Sequence, residues 1–326
     1  MHYMTNNKVK LDIDFNPIHI LFFFYIYFNM KIDKDMFIIV SLCFIFSMFL
    51  INDNNSINKE YFDIVKSSNN TITIYRNNKK VSLSSLDYLI GVVGCEIDAS
   101  YHEEAIKAQA VVANTYALRS NKINRQLTDD TNTQCFKDNI QLKEKWKDNY
   151  DIYYKKISSS VNEVLDEAIY YDDELIDALY YSVSNGYTED AYNVWGNDIS
   201  YLVSVDSSWD KLDKNYKNVI SKDLNSFLNI LGVNNSNYRI LSRDNSNRVL
   251  EVMVGNKVFS GVSFRKLLGL KSTDFEIEIV NDKVNITTYG YGHGVGMSQA
   301  GANYLANNGY NYKDIIKYYY KGVDIY

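Results

Sequence analysis

The sequence predicts an α+β fold of mixed sheets and short helices behind an N-terminal membrane anchor. Three observations carry this reading. Segments that alternate apolar and polar residues recur in pairs around turn-forming residues. Capped helical segments are interspersed among them. The two kinds do not alternate regularly, as a parallel α/β sheet would require, and no internal repeat is visible. Hydrophobic residues at 46% and charged residues at 23% lie near the averages of folded domains, so a chain of 326 residues can bury a sizeable core.

Residues 1–35 read as a cytoplasmic segment. Its apolar stretch Ile18–Phe28 is too short to span a bilayer, and its place ahead of Met30-Lys31 makes Met30 a candidate start. Met36–Ile51 is apolar apart from Ser41 and Ser47, spans a bilayer if its flanks snorkel, and is followed by no small-x-small cleavage pattern. Lys31 and Lys34 precede this run and Asp53 follows it, so the positive-inside rule places everything beyond Ile51 outside the cell membrane on a single-pass anchor. Residues 52–70 form a polar, Asn/Ser/Lys-rich stalk, and 71–326 the folded domain.

That domain opens on a hairpin, with Thr71–Arg76 as a strand, Asn77–Lys80 as the turn and Val81–Leu83 as the return. Ser100-Tyr101-His102-Glu103 fits a capping box, after which Ile106, Ala110, Ala113 and Ala117 recur on one helical face. Glu167–Tyr171 and Leu175–Ser184 flank Asp172-Asp173-Glu174 as a second hairpin, and Val252–Val254 and Lys257–Phe259 flank Gly255-Asn256 as a third. Strands Glu276–Val280 and Val284–Tyr289 lead into a glycine run, a short helix after Ser298 and a last helix capped by Asn311.

The formal charge of −6, with no Lys/Arg block interleaved with aromatics, argues against nucleic acid as a partner. Cys43 sits in the apolar run, leaving Cys95 and Cys135 free to form one disulfide. With His102 and His293 they fall short of the ligand spacing of a structural zinc site, so no metal or other cofactor is expected.

Three features carry chemistry. Glu96 is a lone carboxylate at the exit of the apolar run in LIGVVGCEID; apolar surroundings disfavour its charged form, while a nearby helix N-terminus would favour it. In YGYGHGVGMSQAG, Gly290, Gly292, Gly294 and Gly296 alternate. An extended backbone would leave one face bare, with Tyr289, Tyr291, His293 and Val295 on the other, and neither a dinucleotide fingerprint nor a Walker lysine is present. Finally, YYSVSNGYTE followed by Val194-Trp195-Gly196 joins hydroxyls, an amide and an indole in the manner that suits carbohydrate.

Together, GCEIDASYHEEAIKAQAVVANTYAL, the YYSVSNGYTED segment with VWGNDISYLVSVDSSWD, and GYGHGVGMSQAGANYLANNGYNYKDIIKYYYKGVDI closely resemble the stage II sporulation protein D family, which includes the amidase-enhancer proteins. The resemblance runs from about Thr71 to the C-terminus. It implies sheets and helices arranged around a substrate groove, and a peptidoglycan lytic transglycosylase that cleaves the MurNAc–GlcNAc bond of peptide-free glycan strands. It also implies action during sporulation, in an engulfment complex with a cell-wall amidase and a multispanning membrane protein. The family's catalytic acid falls on Glu96, and its groove-lining positions on Ser182, Ser184, Gly186, Thr188, His293 and Gln299.

Some positions depart from the family pattern. Its Ala-Arg-Thr motif stands here as Ala113-Asn114-Thr115, removing a substrate-facing arginine, and its His-Ser-Thr-Ser run as Tyr181-Ser182-Val183-Ser184. A loop glycine is Asn185, and the region that holds a His/Cys zinc loop in clostridial members keeps only Cys135. These changes motivate a second reading, a glycan-binding scaffold that stimulates a partner amidase without cutting. A third, a cysteine hydrolase using Cys95 with His102 or His293, competes with simple burial of Cys95 as a small apolar side chain.

Overall fold

The structure is a computed structural model that describes residues 71–77 and 79–326. Among these no helix is long and apolar enough to cross a membrane. The expected anchor, the stalk and the alternative start at Met30 lie outside the described residues.

Strands β1 (Thr71–Arg76) and β2 (Lys79–Ser84) pair antiparallel as the expected hairpin, with the return strand starting at Lys79, two residues before the expected Val81. Ser84 then caps helix α1 (Ser85–Glu96), its hydroxyl accepting from the Asp87 N–H at 3.1 Å. The apolar run before Glu96 is thus the body of a helix buried from Tyr88 to Gly94, and Glu96 is its last residue. Helix α2 (Glu103–Lys122) follows, capped by His102 rather than through a Ser100 capping box. His102 Nδ1 accepts from the Glu104 N–H, while the Ser100 N–H and hydroxyl both turn back to Asp98 Oδ1 at 3.0 and 2.8 Å.

After β3 (Leu127–Thr128), which lies parallel to β1, come helices α3 (Asn139–Trp146) and α4 (Tyr150–Glu163). Strands β4 (Ile169–Tyr171) and β5 (Glu174–Leu175) make a short hairpin. The expected long return to Ser184 does not form. β6 (Tyr180–Tyr181) leaves that sheet to pair elsewhere, and the short helix α5 (Ala191–Trp195) closes the segment. Helix α2 is buried on nearly all sides because α1, α4 and two C-terminal helices pack around it. Its small side chains, Ala105, Ala108, Ala110 and Ala113 among them, permit that close approach.

A second core lies between residues 217 and 289. It is built from β7 (Lys217–Asp223), α6 (Leu224–Leu231), β8 (Tyr238–Arg243), β9 (Val249–Val254), β10 (Lys257–Ser260), α7 (Gly261–Leu268), β11 (Asp274–Val280) and β12 (Lys283–Tyr289). Two three-stranded sheets, β11-β12-β7 and β10-β9-β8, enclose Phe264, which stacks on Phe275 at 5.0 Å and meets Phe227 edge-on at 6.3 Å. The chain then returns to the first core through the glycine run, β13 (Met297–Ser298), α8 (Gln299–Asn307, capped by Ser298), α9 (Tyr312–Tyr319, capped by Asn311) and β14 (Asp324–Ile325), which joins β4.

The glycine run is not an extended strand with a bare face. Gly290, Gly292, Gly294 and Gly296 all take positive φ, at 79°, 126°, 91° and 80°, and the chain weaves through the serine segment. Val183 and Tyr291 exchange backbone hydrogen bonds, the Glu189 N–H reaches Gly294 O, and β13 pairs parallel with β6. At Gly296 a Cβ would stand 2.0 Å from the Leu179 carbonyl, and at Gly292 2.5 Å from Tyr181 Cβ. The glycines are therefore needed for protein packed against protein, and that face is closed to a ligand.

Candidate active site

Glu96, Asp98, Tyr101, Lys145, Trp146, Tyr153, Ser182, Asn215 and Gln299 surround an open cavity of about 320 Å³. They come from several elements: Glu96 from the end of α1, Lys145 and Trp146 from α3, Tyr153 from α4, Ser182 from just after β6 and Gln299 from the start of α8. Trp146 and Tyr153 meet edge-on at 6.0 Å. Asp98 and Tyr101 also line an adjoining depression of about 570 Å³, edged by His102, Lys156, Lys214, Asn303 and Asn307, so the two form one polar groove with aromatic walls.

Burial pushes the Glu96 carboxyl above the usual range. Glu96 is the last residue of α1, and the partial negative charge of that helix C-terminus also disfavours the carboxylate. Three groups act against these. The Cys135 N–H donates to Glu96 Oε1 at 2.6 Å, the Tyr180 hydroxyl hydrogen-bonds the carboxyl, and Lys145 lies near. Lys145 is itself fixed by donating to the Gly94 and Cys95 carbonyls at 2.8 and 3.0 Å, which caps the end of α1. For Asp98, two residues on, burial is outweighed by the two Ser100 donors and by Lys214 and Lys145, and its carboxyl is held below the ordinary range. One cavity thus holds two carboxyls displaced in opposite directions.

Of the groove positions carried over by resemblance, Ser182 and Gln299 line the Glu96 cavity. Ser184, Gly186, Thr188 and His293 do not: the first three build the loop behind it, and His293 lies in the glycine run packed against that loop. Ser184 donates its N–H to Asp210 Oδ2 at 2.6 Å and its hydroxyl to Tyr187 O, and the Gly186 N–H returns to the Ser184 hydroxyl. Thr188 exchanges hydrogen bonds with Val203 and Val205. His293 accepts from the Val295 N–H between the rings of Tyr181 and Trp195, and burial with Arg265 and Arg248 nearby pushes it down to about 4.

Behind the loop, Asp210 is 2% exposed and binds the Ser184 N–H, the Ser207 hydroxyl at 3.0 Å and the Ser298 hydroxyl. It ties the serine segment to the cap of α8, and so Ser182 to Gln299. Burial, with the Asp213 charge nearby, raises it to about 7 against the pull of its three donors.

Two departures from the family pattern prove to be inward-facing. The Asn114 amide, 5% exposed, donates to the Leu165 and Glu167 carbonyls at 3.2 and 3.0 Å and has no place in the groove. Asn185 donates to Ser246 O at 2.6 Å and Asp274 Oδ2 at 2.9 Å and accepts from Arg248 at 3.2 Å, joining the two cores. Cys95 and Cys135 form a disulfide, so Cys95 is neither a free buried thiol nor a nucleophile: with its sulfur bonded, the cysteine-hydrolase reading has no thiolate to use. Asp98, Tyr101, Lys145, Trp146, Tyr153 and Asn215 were not singled out as site residues from sequence, because their meeting at Glu96 depends on contacts between distant segments.

The fold and site define a mixed α+β protein with one raised carboxyl in an open polar groove, and comparison with known proteins places it in a family. A family model described as SpoIID, Stage II sporulation protein, matches residues 54–171. Stage II sporulation protein D of Bacillus subtilis is 36% identical over 277 residues, 81% of each chain, and that of Bacillus amyloliquefaciens 38% over 275 residues, 80% of each. The chain belongs to the stage II sporulation protein D family. It is also 26% identical to an amidase enhancer of Bacillus subtilis over 297 residues, 73% of this chain and 40% of that protein.

Proposed function

We propose that this protein is a peptidoglycan lytic transglycosylase of sporulation, acting outside the membrane on peptide-free glycan strands, with Glu96 as its acid and base. The observation that carries the reading is the Glu96 carboxyl, raised by burial yet held by donors, on a groove walled by Tyr101, Trp146 and Tyr153. The protonated carboxyl gives its proton to the glycosidic oxygen as the bond to the muramic acid C1 breaks. The resulting carboxylate then takes the proton of the C6 hydroxyl, whose oxygen closes on C1 as a 1,6-anhydro ring. No attacking water is required, unlike in hydrolytic glycosidases. Asp98, kept ionised, offers negative charge to the oxocarbenium-like transition state, while Ser182, Gln299 and Lys145 meet sugar hydroxyls. A disulfide beside the site suits an oxidising, extracytoplasmic setting.

The test is mass spectrometry of products from denuded glycan strands. The full-length chain should release 1,6-anhydro ends, and Glu96→Gln should lower the rate by about 10²–10⁴-fold while strands still bind. Reducing ends without anhydro products would make it a hydrolase. The likeness to an amidase enhancer motivates the scaffold reading, which would be preferred if the wild-type chain bound strands and stimulated an amidase without cutting.

A further inference from the structure

The segment 134–137 runs along α1 as a strap, held to it at Tyr88, Gly91, Cys95 and Glu96. Gln134, fully buried, accepts from the Tyr88 hydroxyl at 2.7 Å and donates to the Tyr180 hydroxyl at 3.3 Å, and Tyr180 in turn hydrogen-bonds Glu96. Cys135 is bonded to Cys95 through its sulfur and donates its N–H to Glu96 Oε1 at 2.6 Å. Phe136 stacks on Tyr88 at 6.1 Å and fills the space over Gly91, where a Cβ would fall 2.3 Å from its ring. The Lys137 N–H reaches Gly91 O at 3.2 Å.

We propose that this strap is a positioning device for Glu96, fastened by the Cys95–Cys135 disulfide, and that opening the disulfide impairs catalysis without unfolding the protein. The inference rests on the reading of Glu96 as the acid and base. Residues 129–138 lie in no helix or strand, and a backbone N–H carried on such a loop would ordinarily sample many orientations. Here the Cys135 side chain is bonded to the residue immediately before Glu96, so the N–H and the carboxylate it serves are fixed to the same turn of α1. The same strap brings Gln134 to the Tyr180 hydroxyl, so it touches both hydrogen-bond donors to Glu96. Hydrogen bonds to an ionised carboxylate are the strong kind, and the carboxylate is the state in which Glu96 must accept the C6 proton. Cys135 and Gln134 thus act on the reaction through Glu96, as positioning residues.

The experiment compares the oxidised full-length chain, in mild detergent, with the same chain treated with dithiothreitol. Reduction transfers two electrons and two protons from the dithiol, leaving Cys95 and Cys135 as thiols and the reagent as its cyclic disulfide. A Cys95→Ser/Cys135→Ser variant gives the reduced geometry without reagent. Two readouts are taken on samples whose melting transition shows them folded. In carboxyl-labelled protein the Glu96 resonance, assigned by its loss in Glu96→Gln, should titrate about half to one pH unit higher after reduction, because donors to the carboxylate are lost. On denuded glycan, kcat should fall about tenfold with KM little changed, since the groove walls remain. A titration identical in the oxidised, reduced and double-serine proteins overturns the strap, whatever the activity. Absence of anhydro products from the oxidised protein overturns the transglycosylase reading instead, and the titration still judges the strap.

Discussion

Replacing Asp210 with Asn should change how stability depends on pH, by an amount that follows from its burial. In the native state the carboxyl is raised from an ordinary 3.8 to about 7 by burial, more than its three donors can offset. Below about pH 4 it is protonated in both folded and unfolded chains and contributes no pH dependence. Between pH 4 and 7 the unfolded chain gives up its proton while the folded chain keeps it, so stability falls as pH rises, and the loss saturates above pH 7. The gap between 3.8 and about 7 corresponds to about 4 kcal/mol in total, of which roughly 2–3 kcal/mol develops between pH 5 and pH 8. The neutral amide of the variant would carry no such penalty. Whatever constant amount Asp210→Asn costs by losing one acceptor, the difference between variant and wild type should move in the variant's favour by roughly 2–3 kcal/mol from pH 5 to pH 8. Glu189, also raised to about 7, and His293, lowered to about 4, have pH dependences of their own that cancel in this difference. Urea unfolding at the two pH values, with m unchanged, measures it. A difference constant to within about 0.5 kcal/mol would refute the reasoning, since Asp210 would then be no harder to ionise folded than unfolded.

Asn114→Ala should cost about 1–3 kcal/mol in urea unfolding, by stranding the Leu165 and Glu167 carbonyls, and leave glycan affinity unchanged; weakened binding would mean the side chain reaches the groove after all. Gly296→Ala should destabilise by about 3 kcal/mol or more, with the new methyl driven into the Leu179 carbonyl. Gly309→Ala, also at positive φ but facing open space, should cost only about 1–2 kcal/mol, and equal losses would contradict the packing described. If Glu96 is the acid as proposed, cleavage needs its protonated form, and the rate should fall as pH rises through the raised carboxyl value. Tyr180→Phe removes a donor to the carboxylate and should move that fall to still higher pH in the kcat/KM profile, whereas an unmoved fall would exclude Tyr180 from the site.

Local signals were legible where local physics decides. The hairpin at Thr71–Ser84, the strands around Gly255-Asn256 and the caps at Ser298 and Asn311 all depend on residues within a few positions of one another. Helix α1 was not legible as a helix because its apolar run is buried all round and shows no periodicity, although Ser84 with Asp87 carried a cap signal. The capping box of Asp138 and Gln141 was likewise present and opens α3, which brings Lys145 and Trp146 to Glu96. The glycine alternation pointed the wrong way because glycine occupies extended and left-handed backbone equally well, and only the partner segment decides between them. The resemblance pointed to Glu96 as the candidate acid, but which neighbours share its cavity depends on contacts between distant segments that no local pattern encodes.

In the proposed mechanism one residue serves as both acid and base, and the position of Glu96 at the end of α1 bears on how it could do so. As acid it must keep its proton near neutral pH, and burial together with the negative end of the helix favours that state. After the bond breaks, the same group must persist as a carboxylate long enough to draw a proton from a hydroxyl. That state is supported by donors fixed in advance: the Cys135 N–H, the Tyr180 hydroxyl and the nearby Lys145 charge. Neither set alone would suffice. A carboxyl that was only buried would protonate the leaving oxygen but be poorly stabilised once charged, and one that was only well bonded would arrive ionised. None of these donors belongs to the local sequence of Glu96. They come from the strap after β3, from β6 and from α3, so the acid depends on the folded first core in a way that a carboxylate on an exposed helix end would not.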